Sequence, residues 1–201
     1  MSTDVYVMRH GETEANVRQV LMSRGDSPFT EAGRRQPVAV ATHLQDRNLA
    51  RIYSSPMART QRTAALVVET LERPVPIVAE AALAEIDAGE FTGLTFAEVQ
   101  ARLPATAVLG RFRYPGGESW GDVQARAVGF VSKLEGVHDG DAVLLITHAG
   151  VIASLVAAYK AEPIEQYIRT RFGHDFLGRL TLAGGSIVAY EKLVGTVDSW
   201  F

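Results

Sequence analysis

Ala142-Val143-Leu144-Leu145-Ile146-Thr147-His148-Ala149-Gly150 is the stretch that decides the fold. A short apolar run after a Gly140-Asp141 turn reads as a buried strand, and a helix is expected to begin near Val151. Val5-Tyr6-Val7-Met8-Arg9 repeats the pattern near the start of the chain and runs into His10-Gly11, where glycine permits a tight exit. Between these two strands, Ile52-Tyr53 closes a third. Ser54-Ser55-Pro56 then reads as an N-cap with proline at the first helical position, opening a helix from about Pro56 to Leu71. Thr30 caps a helix running toward Leu44, which Pro37 is expected to kink or shorten. Thr95 and Glu98 form a capping box for a short helix ending before Pro104. Beyond the Tyr114-Pro115-Gly116-Gly117 loop, Trp120, Val123, Ala127, Phe130 and Leu134 recur at helical spacing after Ser119. Phe176–Leu182 and Ser186–Glu191 flank Ala183-Gly184-Gly185 as a hairpin. Strands alternating with helices predict an α/β three-layer sandwich with a mostly parallel central sheet and helices on both faces. No repeat or linker divides the chain, so residues 1–201 are expected to form one domain.

Composition narrows the functions available. The 201 residues are 47 % hydrophobic and 21 % charged, an ordinary globular balance. The absence of cysteine excludes disulfides, thiolate metal sites and a cysteine nucleophile. A net charge of −3 gives no nucleic-acid surface, so any anion site must be local. No apolar run approaches the roughly 18 residues of a membrane span. Met1-Ser2-Thr3-Asp4 lacks a basic leader, and a cytoplasmic protein is expected.

In open α/β sheets ligands bind beyond the carboxyl ends of the strands, and two strands here end in histidine, His10 and His148. Phosphoryl transfer without a metal needs a nucleophile, positive charge on the equatorial oxygens and a proton donor for the leaving oxygen. Imidazole supplies the first and guanidinium the second. Arg9 adjoins His10, and Arg59 lies in the first turns of its helix. His148 precedes a helix start where Ala149 presents backbone N–H groups to an anion. Glu85 is a candidate acid. The residues alone leave open which histidine attacks, and on spacing Asp87 and Glu90 compete with Glu85. Asn16 fits either a phosphate contact or a helix or turn residue. His43, His138 and His174 read as surface or structural, with substrate contact by His174-Asp175 as a lesser alternative. Arg18, Arg24, Arg111 and Arg113 read as solvated charges, with a place lining the entrance as the lesser alternative.

Arg9-His10-Gly11-Glu12-Thr13 with Asn16 resembles the signature of the histidine phosphatase superfamily, which includes cofactor-dependent phosphoglycerate mutases. Further segments follow in that family's order: Asp26–Gly33, Ser54–Thr60, Leu83–Gly93, Pro115–Ser119 and Thr147–Gly150. The resemblance implies a phosphoglycerate mutase-like fold and a metal-independent phosphomonoesterase that needs no cofactor. It implies His10 as the nucleophile and Arg9, Arg59, His148 and Asn16 as phosphate ligands. Glu85 would be the acid that protonates the leaving oxygen and then activates water. The alternative within the family is a 2,3-bisphosphoglycerate-dependent mutase, which needs a lid and further basic residues. Only 21 residues, Leu94 to Tyr114, separate Gly93 from Pro115, and the basic ones among them are Arg102, Arg111 and Arg113. A small cap and hydrolysis are therefore expected. The Pro-Gly-Gly-Glu-Ser segment resembles broad-specificity and α-ribazole phosphatases. Candidate substrates are sugar phosphates, phosphoserine, α-ribazole phosphate and phosphoglycerate. Phe91, Phe112, Tyr114 and Trp120 are candidates for an apolar wall. The expected partner is a small phosphorylated metabolite, with neither nucleic acid nor membrane, and the protein is expected as monomer or homodimer.

Overall fold

A computed structural model describes residues 2–138 and 140–199. Its six-stranded sheet has the order β3-β2-β4-β1-β6-β7, formed by Thr3–Arg9 (β1), Leu49–Ser54 (β2), Ile77–Ala79 (β3), Ala142–Thr147 (β4), Leu177–Ala183 (β6) and Ser186–Val194 (β7). The first four positions pair in parallel and β6 and β7 add two antiparallel strands, so the mostly parallel sheet expected from the alternation is present. Thr170–Phe172 (β5) and Val197–Ser199 (β8) make a separate two-stranded sheet that the sequence pattern does not signal.

Side-chain alternation divides the core into two layers. Val5 and Val7 of β1, with Val143 and Leu145 of β4, face a cluster shared with Trp120–Leu134 (α5) and Ala149–Lys160 (α6). Tyr6, Met8, Leu144 and Ile146 face the opposite way, toward Glu31–Ala41 (α2) and Ala58–Leu71 (α3). The central strand β4 lies between β1 and β2 and is covered on both faces, which is why its sequence is a continuous apolar run. Glu14–Val17 (α1) is a single short turn, and Phe96–Arg102 (α4) adds Val99 to the first of these clusters.

The capping signals hold in most places. Thr30 caps α2, Thr95 and Glu98 close a capping box on α4, and Ser119 does the same with Asp122 on α5. Pro37 sits inside α2, which continues to Ala41 before tightening into a 3₁₀ turn at Thr42–Leu44. Two starts differ from expectation. Helix α3 begins at Ala58 rather than Pro56, because Ser54 still belongs to β2 and Ser55 is drawn into a side-chain contact with His148. Helix α6 begins at Ala149, two residues before Val151, with His148 itself as the N-cap.

Candidate active site

Arg9 and Thr147 are register partners, and the His10 N–H donates to the Thr147 carbonyl at 3.0 Å. His10 and His148 therefore leave adjacent parallel strands side by side, with ring centroids 5.1 Å apart. The turn after His10 is tightly packed. A Cβ built on Gly11 would lie 2.1 Å from the Gly33 carbonyl oxygen of α2, so only glycine allows this approach. Thr63 of α3 accepts from the Gly11 N–H at 3.1 Å.

The His10 ring has a defined tautomer. Nδ1 lies 2.8 Å from the Gly11 carbonyl oxygen, which can only accept, so Nδ1 carries the proton and Nε2 the lone pair. Burial, followed by the nearby Arg59 charge, holds this imidazole well below its usual pKa. It is thus a neutral base at neutral pH, with its lone pair on Nε2.

Arg59 is 4 % exposed and meets both histidines. Nε lies 3.3 Å from His10 Nε2 and Nη2 lies 3.3 Å from His148 Nδ1. The carbonyls of Gly25 and Ser23 accept from its Nη1 and Nη2 at 2.6 and 2.8 Å and fix the plane of the fork. Arg9 donates through Nη1 to the Phe172 carbonyl at 2.7 Å, while its buried Nε has no partner. Burial lowers the Arg9 pKa to about 10, which leaves it charged at pH 7. A buried unpaired donor is costly, and an oxyanion would satisfy it.

His148 is fully buried and does not itself line the cavity. Because arginine can only donate, His148 Nδ1 accepts from Arg59, and Nε2–H donates to the Ser55 hydroxyl at 2.8 Å. Glu85 Oε2 stands 4.0 Å from the same Nδ1. Glu85 Oε1 accepts from the Ile86 N–H at 3.0 Å, and burial raises the carboxyl pKa above its ordinary value. Among the described residues Glu85 is the acidic side chain on the cavity wall. Asp87 instead pairs with Arg24 at 3.5 Å and caps Gly89, and Glu90 is exposed. Asn16 lines the cavity, but its Oδ1 accepts from the N–H and hydroxyl of Thr13 in a capping box, so only its amide nitrogen is left for a ligand. Ala149 lines the cavity at the start of α6.

Three residues support the site in ways that the sequence pattern does not show. Of the surface and structural readings of His174 the structural one fits: it is buried with its ring centroid 5.3 Å from that of His10, and its Nδ1–H donates to the His10 carbonyl at 2.7 Å. Its signal in the sequence is a single histidine with no companion. Glu118, in the Pro-Gly-Gly-Glu-Ser segment, supports the loop that carries Glu85. It accepts from the Asp87 N–H at 3.0 Å and pairs with Arg126, which donates to the carbonyls of Ala82 and Glu85. Gly150 leaves room for Trp120, since a Cβ there would lie 2.2 Å from the indole and 2.9 Å from Glu85 Oε1. The aromatic expectation splits: Tyr114 and Trp120 line the cavity, whereas Phe91 and Phe112 do not and pack against Tyr114 at 5.4 Å each.

A neutral imidazole with a lone pair on Nε2, two guanidinium groups and a carboxyl of raised pKa meet on one cavity, a set of groups able to carry phosphoryl transfer. The chain belongs to the histidine phosphatase superfamily, branch 1, whose model matches residues 5–190. It is 32 % identical to a glucosyl-3-phosphoglycerate phosphatase of Mycolicibacterium vanbaalenii over 96 % of this chain and 92 % of that protein. It is 30 % identical to a protein named "probable phosphoglycerate mutase GpmB" in Cronobacter sakazakii, covering 97 % and 95 %. A solved mycobacterial glucosyl-3-phosphoglycerate phosphatase in complex with VO3 superposes with a TM-score of 0.80 at 27 % identity, covering 96 % and 98 %.

Proposed function

We propose that the chain hydrolyses a small phosphomonoester through a phosphohistidine on His10, with residues 1–201 acting as one catalytic domain. The observation that carries this reading is the Nε2 lone pair of His10 held against Arg59, next to the unpartnered Nε of Arg9. In the first step Nε2 attacks phosphorus and the bond to the ester oxygen breaks. Arg9 and Arg59 hold the equatorial oxygens, and the protonated Glu85 gives its proton to the leaving alkoxide. In the second step the Glu85 carboxylate takes a proton from water, the hydroxide attacks phosphorus, and Nε2 leaves with its lone pair restored. His148 would donate a further hydrogen bond to an oxyanion that replaces its contact with Arg59 in the other neutral tautomer, with the proton on Nδ1 and Nε2 accepting from the Ser55 hydroxyl. The amide nitrogen of Asn16 and the backbone at Ala149 complete the phosphate contacts.

Mutase activity on the same intermediate is the second reading, favoured by the likeness to GpmB. A mutase retains the phosphoryl group for a second acceptor; a phosphatase gives it to water. The test is a metabolite panel scored for phosphate release in EDTA, alongside a label-transfer assay from 2,3-bisphosphoglycerate to monophosphoglycerate. Phosphate release that survives chelation and vanishes in His10→Ala supports hydrolysis. Label transfer without release would establish the mutase, and dependence on added magnesium would overturn both readings. The proposal extends to a cytoplasmic setting and to a monomer or homodimer, the latter read by light scattering. Among the described residues no helix is long and apolar enough to cross a membrane.

A further inference from the structure

The reacting groups stand at the floor of a cavity of about 570 Å³, and α4 lies in its cap. Two of those groups act on the same ester from different segments of the chain. In the proposed reaction Arg59 of α3 holds the phosphoryl oxygens, and Glu85, from a loop, meets the oxygen that leaves. Their relative placement depends on whatever spans the two segments.

Ser23 spans them. Its carbonyl accepts from Arg59 Nη2 at 2.8 Å. Its hydroxyl donates to the Ile86 carbonyl at 2.8 Å and accepts from the Ala88 N–H at 2.9 Å. Ile86 is also the residue whose N–H holds Glu85 Oε1. Glu85 and Ser23 therefore grip one residue, the first through its N–H and the second through its carbonyl. The backbone at Ser23 is in a conformation that a side chain disfavours, with φ at 49°. Gln19, Glu72 and Ala161 share it, but they are exposed and lie just past the ends of α1, α3 and α6. Ser23 is 2 % exposed, within the loop between α1 and α2. Glycine would relieve the backbone and leave the Ile86 carbonyl and the Ala88 N–H without their partner. The hydroxyl, rather than the backbone, thus accounts for a serine at this position. Arg24 reinforces the span at 3.5 Å from Asp87 and 3.4 Å from Glu118, but its side chain is 46 % exposed and such pairs are weak.

We propose that Ser23 is a positioning residue for proton donation: its hydroxyl fixes the loop that carries Glu85 against the Arg59 clamp, so that the acid meets the leaving oxygen while the phosphoryl oxygens are held. The inference rests on the phosphatase reading above. Ser23 acts through Ile86 and Ala88; the proton itself passes from Glu85 to the leaving oxygen as the bond to phosphorus breaks.

The experiment compares kcat/KM for an alkyl phosphate, whose alkoxide needs the acid, with kcat/KM for a nitrophenyl phosphate, whose leaving group needs it little. Ser23→Ala removes the hydroxyl and keeps the left-handed strain, whereas Ser23→Gly removes both. Each should lose about tenfold on the alkyl ester, the effect of one or two hydrogen bonds, and less than about threefold on the aryl ester. In a Glu85→Gln background Ser23→Gly should have no further effect on alkyl turnover, because the group it positions is gone. Equal losses on the two esters would overturn the inference and leave Ser23 a merely structural role. So would a loss in the Glu85→Gln background as large as in the unaltered chain. Full alkyl turnover in Ser23→Gly would overturn it by showing the hydroxyl to be dispensable. Thermal melts accompany each variant; if Ser23→Ala does not fold, Ser23→Gly, free of the backbone strain, carries the comparison. Absence of His10-dependent phosphate release in the unaltered chain would instead remove the phosphatase reading, and the inference with it.

Discussion

The floor of the cavity and its cap meet the same ligand with opposite chemistry. At the floor, backbone partners fix each side chain: the Gly11 carbonyl sets the His10 tautomer, the carbonyls of Ser23 and Gly25 hold Arg59, and the Ile86 N–H holds Glu85. Charged groups there are buried and their pKa values displaced. In the cap, α4 and Leu109 offer half-covered apolar side chains, and their ordering comes from a capping box and packing rather than from a charge network. In the proposed reaction the floor holds the groups that act on phosphorus, and the cap supplies the rest of the cavity wall.

Substitutions can separate the two. The largest effect is expected for His10→Ala, which should abolish turnover of methyl, octyl and aryl phosphates alike, with no acid-labile phosphoenzyme on a gel and a cooperative melt retained. Residual turnover of any one ester would break the division. Glu85→Gln should slow alkyl phosphates by about 10²- to 10⁴-fold and aryl phosphates less, because a good leaving group needs less proton donation. The same variant tests the pH profile. Burial puts the His10 pKa below its ordinary value and the Glu85 pKa above its own. Protonation of His10 should therefore reduce kcat/KM as the pH falls, and ionisation of Glu85 should reduce it as the pH rises. Only the alkaline limb should disappear in Glu85→Gln. His174→Ala removes a hydrogen bond to the His10 carbonyl. A loss of about tenfold in kcat at constant KM is expected, the equivalent of one such bond, and equal for short and long esters.

The smallest effect concerns stability. His10, His148 and His174 are all held well below their usual pKa by burial. Below pH 6.5 the unfolded chain binds protons that the folded chain refuses, so stability is lost as the pH falls. Each histidine contributes about 1 kcal/mol of this loss between pH 7 and 5.5. Glu85 acts in the opposite sense, since its raised pKa removes stability as the pH rises through it. Denaturant titrations should show a shallower acid loss for His10→Ala than for the unaltered chain. Phe96→Ser, in the cap, should leave the slope unchanged, and a change there would tie cap and floor together.

Much of this site was legible because its residues sit at strand ends. A buried parallel strand leaves an unmistakable apolar run, and whatever follows it must emerge at the carboxyl edge; His10 and His148 were found that way. The order of segments then carried Arg59 and Glu85. Pro56 misled as a helix start because Ser55 is engaged by His148, a contact between residues 93 positions apart. The supporting roles of His174 and Glu118 have no local sign, since one acts through the backbone of His10 and the other through that of Asp87.

Residue identity alone determined the strand-and-helix alternation, the absence of thiol chemistry and the set of groups able to transfer a phosphoryl group. Tertiary structure decided which of three nearby carboxylates lines the cavity, which nitrogen of His10 carries the lone pair, and that a solitary late histidine supports the first. Spacing along a chain records what covers one element, whereas desolvation and tautomer depend on neighbours brought in from distant segments.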